Sequence, residues 1–109
     1  MRIYELTFIL SPNLDEEAVK AQIANVESQI KGLNGKVLEV QRLGLKSFAY
    51  MLKGNRQGHY ITVYYEADGT LCRQIEATLK LNEAVLRFLT LVLTPSEYKP
   101  REIEQQAIS

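Results

Sequence analysis

The chain has 109 residues, of which 46% are hydrophobic and 24% are charged. This length suits one folded domain, and the composition excludes a disordered or collagen-like chain. With one cysteine and one histidine, the sequence excludes a disulfide framework and argues against a multi-cysteine or histidine metal site. We therefore expect no metal and no cofactor.

No apolar stretch approaches the roughly 20 residues that span a bilayer. Residues 1–10 include Glu5, and Pro12 follows too early for the apolar region of a signal peptide. A single cysteine also suits the reducing cytosol. These features predict a cytoplasmic protein that makes no contact with a membrane.

The charges are balanced in number but unevenly distributed. Thirteen Lys and Arg residues match thirteen Asp and Glu residues, and residues 36–60 hold five basic side chains and one acidic side chain. The chain as a whole therefore does not attract nucleic acid, but its central segment is basic. Such a segment suits either a nucleic-acid contact or a hairpin that lysines keep solvated.

The first half of the chain predicts a strand, a helix and a long strand. Residues 2–10 are rich in β-branched and aromatic side chains, and Ser11-Pro12-Asn13 ends the run. Residues 36–53 alternate imperfectly, which predicts a strand with a bulge near Gly44. Residues 15–31 predict a helix, whose apolar stripe consists of Val19, Ile23, Val26, Ile30 and Leu33.

The second half predicts a turn, a strand, a helix and a last strand. Turn-forming residues occupy 54–58, and residues 59–66 alternate as a strand. Asp68-Gly69-Thr70 follows and caps a helix over 71–81. A strand over 84–93 ends at Thr94-Pro95. The predicted apolar stripe of the second helix consists of Leu71, Ile75, Thr78 and Leu79.

Residues 95–109 are polar and lack a core-forming period. We expect them to be a flexible C-terminal tail that follows a folded domain of residues 1–94. The order of elements in that domain is β-α-β-β-α-β, in which two right-handed β-α-β units interleave. This order predicts the α+β class and a ferredoxin-like sandwich, with a four-stranded antiparallel sheet and both helices on one face.

The chain offers little for catalysis, and we predict that it is not an enzyme and has no small-molecule substrate. His59 follows Gly58 and is more typical of a turn edge, and Cys72 is more typical of a small buried side chain. An acyl-phosphate hydrolase of the same fold would need an arginine after the first strand. Ser11-Pro12-Asn13-Leu14 contains none.

The sheet face without helices is the most informative surface. An RNA-recognition motif stacks bases on such a face, but Arg56 to Tyr64 fit its signature only in part. Alternation instead predicts an apolar face, which is typical of a protein partner. The expected partner-binding residues are Ile3, Ile9, Tyr60, Tyr64, Leu89 and Leu91. Cations at strand ends and in the hairpin suit phosphate contacts. The expected RNA-binding residues are Arg2, Lys46, Lys53, Arg56 and Arg87.

Five stretches carry a resemblance to a known family. They are Arg2–Leu6, Pro12–Leu14, Leu43–Tyr50, Gly58–Tyr60 and Asn82–Phe88. They resemble the sixth protein of the bacterial small ribosomal subunit, and the resemblance extends from the first residue to about Thr94. Its most specific part is the pattern L-G-x-[KR]-x-x-A-Y within the β-α-β-β-α-β order.

The resemblance implies a structural protein of the ribosome that acts in translation. Members of that family bind the central domain of 16S ribosomal RNA (rRNA) as a heterodimer with small-subunit protein eighteen. This chain is therefore expected on the small ribosomal subunit. Lys46 and Arg87 lie within the matching stretches. In some bacteria glutamates are added to the family's tail, but this tail lacks a terminal glutamate pair, so the modification is not expected here.

A second interpretation of the sequence places the chain in a different functional class. A ferredoxin-like regulatory module would dimerise through its sheet face and bind a metabolite. Gel filtration with mass spectrometry of bound ligands distinguishes the two, because the regulator would be a homodimer that carries a small molecule.

Overall fold

The computed structural model describes residues 2–94 and 96, in which four strands and two helices follow one another in the predicted order. The helices are α1 (Glu16–Gly32) and α2 (Gly69–Leu81). The strands are β1 (Arg2–Leu10), β2 (Lys36–Leu52), β3 (Asn55–Ala67) and β4 (Val85–Leu93). They form one antiparallel sheet in the order β2-β3-β1-β4, which confirms the ferredoxin-like prediction.

The core lies between the helices and one face of the sheet. Alternate residues of β1 and β3 supply the sheet side of this core, and the buried stripes of both helices supply the other side. The largest fully buried side chains are Tyr65, Phe8, Leu6, Leu10, Ile30, Ile61, Ile75, Val19 and Val63. Because both helices pack on this face, the opposite face of the sheet is covered by no described element.

Both helices begin at aspartate caps, of which the one at Asp68 is predicted from the sequence. Asp15 accepts a hydrogen bond from the Ala18 amide at 2.8 Å, and Asp68 accepts one from the Leu71 amide at 3.0 Å. The predicted stripe of α1 is confirmed, since four of its members are buried and Leu33 packs against the core. In α2 the assignment of Thr78 to the apolar stripe is wrong. Thr78 is exposed, and its hydroxyl accepts a hydrogen bond from the Gln29 side chain at 2.7 Å.

The predicted turn over 54–58 is also wrong, because β3 already begins at Asn55. Leu52 pairs with Asn55, so Lys53 and Gly54 alone form the hairpin turn. Their φ angles are 47° and 80°, the pair of left-handed conformations that a type I′ turn requires. The Asn55 side chain donates hydrogen bonds to the carbonyls of Leu52 and Lys53. The polar residues after the turn therefore lengthen the hairpin of β2 and β3, and we call its outer part, residues 42–60, the arm.

The register of this arm shifts at Gly44 and again near its end. The first shift, between Arg42 and Gly44, is the predicted bulge, and Gly44 has a φ of 90°. At the second shift, Ser47 pairs with Gln57 and Leu52 pairs with Asn55. Residues 48–51 of β2 therefore lie opposite Arg56 alone. We call these four residues the arm bulge.

Gly58 lets the arm pack closely against the end of β1. A Cβ atom there would lie 2.6 Å from the Ile9 side chain, 2.8 Å from the Leu10 carbonyl oxygen and 3.0 Å from the Phe48 ring. Only glycine fits without a shift of backbone, which fixes how the arm leaves the sheet.

Among the described residues, neither helix is long and apolar enough to cross a membrane. The predicted C-terminal tail, Ser96 excepted, lies outside the described residues.

The Gly58 contact predicts an effect on stability. Gly58→Ala should lower the free energy of unfolding by about 1–3 kcal/mol, because the added methyl group overpacks against backbone and a ring. The matched control is Gly32→Ala, where nothing lies within 4 Å of the added Cβ, and it should be neutral or slightly stabilising. Urea unfolding followed by circular dichroism measures both. Equal stability of the two variants would contradict the close packing of the arm.

Candidate partner and nucleic-acid interface

The uncovered sheet face, here called the open face, is built from side chains that alternate with the core. Its residues form rows across the four strands because the strand register aligns them. One row contains Glu39, Tyr64, Glu5 and Leu91; the next contains Gln41, Thr62, Thr7 and Leu89. The row after these contains Gly44, Tyr60, Ile9 and Arg87, and Lys46 follows opposite Gly58.

Acidic and apolar side chains occupy one half of the open face. Glu5 lies between Tyr64 and Leu91, while Glu39 lies at the far side of Tyr64. Leu91 is 47% exposed, and Leu89 in the next row is 59% exposed. Exposed leucines beside a carboxylate form a surface that suits a partner with apolar and cationic groups.

A hydrogen bond fixes the centre of the face. The hydroxyl oxygens of Thr7 and Thr62 lie 2.9 Å apart across β1 and β3. A cleft of ≈ 350 Å³ runs beside this pair towards β4. Its lining residues are Glu5, Thr7, Ile9, Tyr60, Arg87, Phe88, Leu89 and Leu91. The cleft connects the acidic half with the cationic end.

The opposite end of the face carries cations. Arg87 lies beside Ile9, four residues along β1 from Glu5, or about 13 Å at the usual rise of a strand. The Lys46 ammonium lies 5.7 Å from the centre of the Tyr60 ring, a cation–π distance. Lys53, at the tip of the arm, donates a hydrogen bond to the Val85 carbonyl at 3.2 Å and so ties the arm to β4.

Four of the five expected RNA-binding residues are therefore brought to one end of the molecule. Lys46, Lys53 and Arg56 lie on the arm, and Arg87 lies on the neighbouring part of β4. Arg2 lies apart from them. It begins β1 opposite Ala67, seven residues from Ile9 and thus about 23 Å away, and it shares the parity of the core-facing residues.

All six expected partner-binding residues share the open face by register, but they differ in exposure. Ile9 is only 7% exposed, so its side chain packs beneath its neighbours and has little surface that a partner could contact. Ile3, Tyr60 and Tyr64 are half-buried, and the two leucines are the most exposed.

Sequence reasoning missed the role of the carboxylates in the acidic half of the open face and of the aromatic residues in the arm bulge. Strand alternation could have placed Glu5 on the open face, because it lies between Ile3 and Thr7 at even spacing. Tyr50 could not have been placed by alternation, because the arm bulge interrupts the period of two.

Arg42 is a basic residue of the arm that is not available to this interface. It lies on the helix side, where it donates two hydrogen bonds to Glu16 at 2.5 and 3.0 Å. These hydrogen bonds lower the pKa of the Glu16 carboxyl, and they raise the pKa of the Arg42 guanidinium. This pair links β2 to the start of α1.

Cys72 and His59, the two side chains considered for catalysis, lie in surroundings that do not favour a catalytic role. Cys72 is half-buried, and burial raises the pKa of its thiol, which opposes a thiolate role. His59 lies inside β3 rather than at a turn edge, between Leu10 and Leu45, and its Nε2 atom is buried. No group of three or more potential metal ligands occurs among residues 2–94 and 96.

Comparisons with known proteins identify the family of the chain. The sequence profile of ribosomal protein S6 matches residues 3–91. The small ribosomal subunit protein bS6 of Sulfurovum sp. is 34% identical over 91 residues, or 84% of this chain and 72% of the relative. That of Thermosynechococcus vestitus is 37% identical over 92 residues, or 84% of this chain and 81% of the relative.

A solved structure extends the likeness to the fold. The crystal structure of 30S ribosomal protein S6 from Thermotoga maritima matches with a TM-score of 0.83 and 29% identity. The match covers 99% of this chain and 98% of that one. The profile, the relatives and the shared fold together establish that the chain belongs to the ribosomal protein S6 family of the small ribosomal subunit.

Proposed function

We propose that the chain binds the central domain of 16S rRNA as a heterodimer with small-subunit protein eighteen. In this proposal the chain is a structural component of small subunits in the cytoplasm and has no enzymatic role. The observation that carries the proposal is the division of the open face into an acidic, apolar half and a cationic end.

The acidic half suits the protein partner. Leu89 and Leu91 are exposed in the unpartnered chain, and burying a leucine side chain contributes about 1.5–3 kcal/mol. Glu5 lies between Leu91 and Tyr64, where a cationic side chain of the partner would pair with it. A basic partner also explains how a chain of zero net charge takes part in RNA binding.

The cationic end suits the RNA backbone. Lys46, Arg56 and Arg87 are exposed, and the Lys53–Val85 hydrogen bond holds the arm near Arg87. Phosphate contacts need long cations on a firm support and do not read the sequence of bases. Arg2 belongs to the same proposal as a separate contact at the other end of β1, about 23 Å away.

Sheet-face homodimerisation is the rival, because the same leucines would be buried in a dimer of identical chains. Gel filtration of the chain alone decides between the two. A concentration-independent monomer that shifts on addition of protein eighteen supports the heterodimer, whereas a stable homodimer supports the regulatory module.

The partner surface predicts a difference between two exposed leucines. Leu89→Asp should weaken association with protein eighteen by about 30-fold or more, because it places a charge in the apolar part of the interface. Leu81→Asp is the matched control, because Leu81 is 86% exposed at the end of α2, away from the open face. Isothermal titration calorimetry gives both affinities. Unchanged affinity of a folded Leu89→Asp variant would place the partner elsewhere.

The cationic end predicts a change in salt dependence. Lys46→Ala and Arg87→Ala should each weaken binding of the heterodimer to a central-domain 16S fragment and reduce the slope of log K against log salt by about one. Lys31→Ala, at an exposed lysine in the last turn of α1, should leave the slope unchanged. Filter-binding titrations provide the slopes. If all three variants behave like the wild type, the RNA contacts lie elsewhere.

A further inference from the structure

We propose that the cleft between the arm bulge and the open face binds one unpaired RNA nucleotide, with its base stacked on the ring of Tyr50. This inference rests on the proposed RNA binding and adds the kind of RNA that is recognised. The sequence predicts only contacts with the phosphate backbone of RNA at this surface, and the inference adds a contact with a base.

The shape of the arm presents the Tyr50 ring. Four residues of β2 lie opposite Arg56 alone, so this part of the strand bulges outward, and Tyr50 is 83% exposed. The other two rings of the arm are already engaged. Phe48 and Tyr60 have centroids 6.0 Å apart, and the Lys46 ammonium lies over Tyr60. Among the described residues no ring stacks on Tyr50.

Two clefts meet at Tyr50, and each contains an arginine. The first, of ≈ 240 Å³, lies between the arm and the open face and includes Ile9, Phe48, Tyr60 and Arg87. The second, of ≈ 250 Å³, is lined by the four residues of the arm bulge together with Ser47 and Arg56. An aromatic and apolar lining with a guanidinium at its edge suits a base and the phosphate attached to it.

The charge of the arm favours RNA over a protein segment as the occupant. Residues 40–65 contain no Asp or Glu, while Lys46, Lys53 and Arg56 surround the bulge. The acidic side chains of the sheet lie in the other half of the open face, where they would repel a phosphate backbone. An RNA backbone would therefore contact the molecule at the arm and not at the acidic half of the open face.

The base must be unpaired to make this contact. In a double helix the faces of the bases are covered by their neighbours, whereas bases in loops and bulges turn out and stack on aromatic side chains. Because every base has an aromatic face, this stacking tolerates changes of sequence.

The test compares two substitutions of Tyr50 in the heterodimer. In filter binding to a central-domain 16S fragment, Tyr50→Leu should weaken affinity by about tenfold, and Tyr50→Phe should stay within about twofold of the wild type. The salt slope should be the same in both variants, because stacking neutralises no phosphate. Leu81→Ala, at an exposed leucine away from the arm, is the control for loss of apolar surface.

A cross-linking experiment identifies the contact directly. The wild-type heterodimer is irradiated with a central-domain fragment that contains 4-thiouridine, and the linked peptide is mapped by mass spectrometry. Attachment at Tyr50 supports the inference. Wild-type affinity of Tyr50→Leu overturns it, as does loss of affinity in Tyr50→Phe equal to that in Tyr50→Leu. A Tyr50→Leu variant that binds protein eighteen less tightly without RNA also overturns it, because the contact is then with protein. Failure of the wild-type heterodimer to bind the fragment would instead overturn the proposed function.

Discussion

The packing of both helices on one face of the sheet is the constraint on which the rest of the structure depends. The two β-α-β connections place α1 and α2 on the same side, so the core forms there and no described element covers the other face. The side chains of that face do not have to be apolar or to pack against the helices. Their charges and exposed leucines are therefore free to serve recognition.

The long hairpin turns this open face into a surface with two unlike ends. β2 and β3 continue past the end of β1, and Gly58 allows them to pack against it. The hydrogen bond from Lys53 to Val85 then holds the tip beside β4. The arm thereby places the cations of the central segment at the same end of the molecule as Arg87. Acidic and basic groups are separated by about 13 Å along β1, which under the proposed function leaves room for a protein partner and an RNA backbone on the same face.

The fold could be predicted from the sequence because its signals are local and agree with one another. The apolar stripe of α1, the cap at Asp68 and the alternation of 59–66 each specify one element, and their order specifies the topology. The position of the hairpin turn could not be predicted, because residues 55–58 are polar and typical of a loop. In the structure they belong to β3, which pairs with β2. The sharing of one face by the six partner-binding candidates followed from strand parity. The exposure of these residues could not be predicted from parity, because the arm covers the side chain of Ile9. The basic character of Arg2 does not show its separation from the other cations, which follows from its position at the start of β1 and its core-facing parity.

The claim that one sheet face serves two partners at opposite ends is tested most directly by nuclear magnetic resonance. Amide chemical shifts of the isotope-labelled chain are recorded alone, with unlabelled protein eighteen, and then with a central-domain 16S fragment added. The account predicts that the protein partner shifts amides around Glu5, Tyr64 and Leu91, and that RNA then shifts those around Lys46, Tyr50 and Arg87. RNA-dependent shifts confined to the acidic half, or the same set of shifts for both partners, would contradict it.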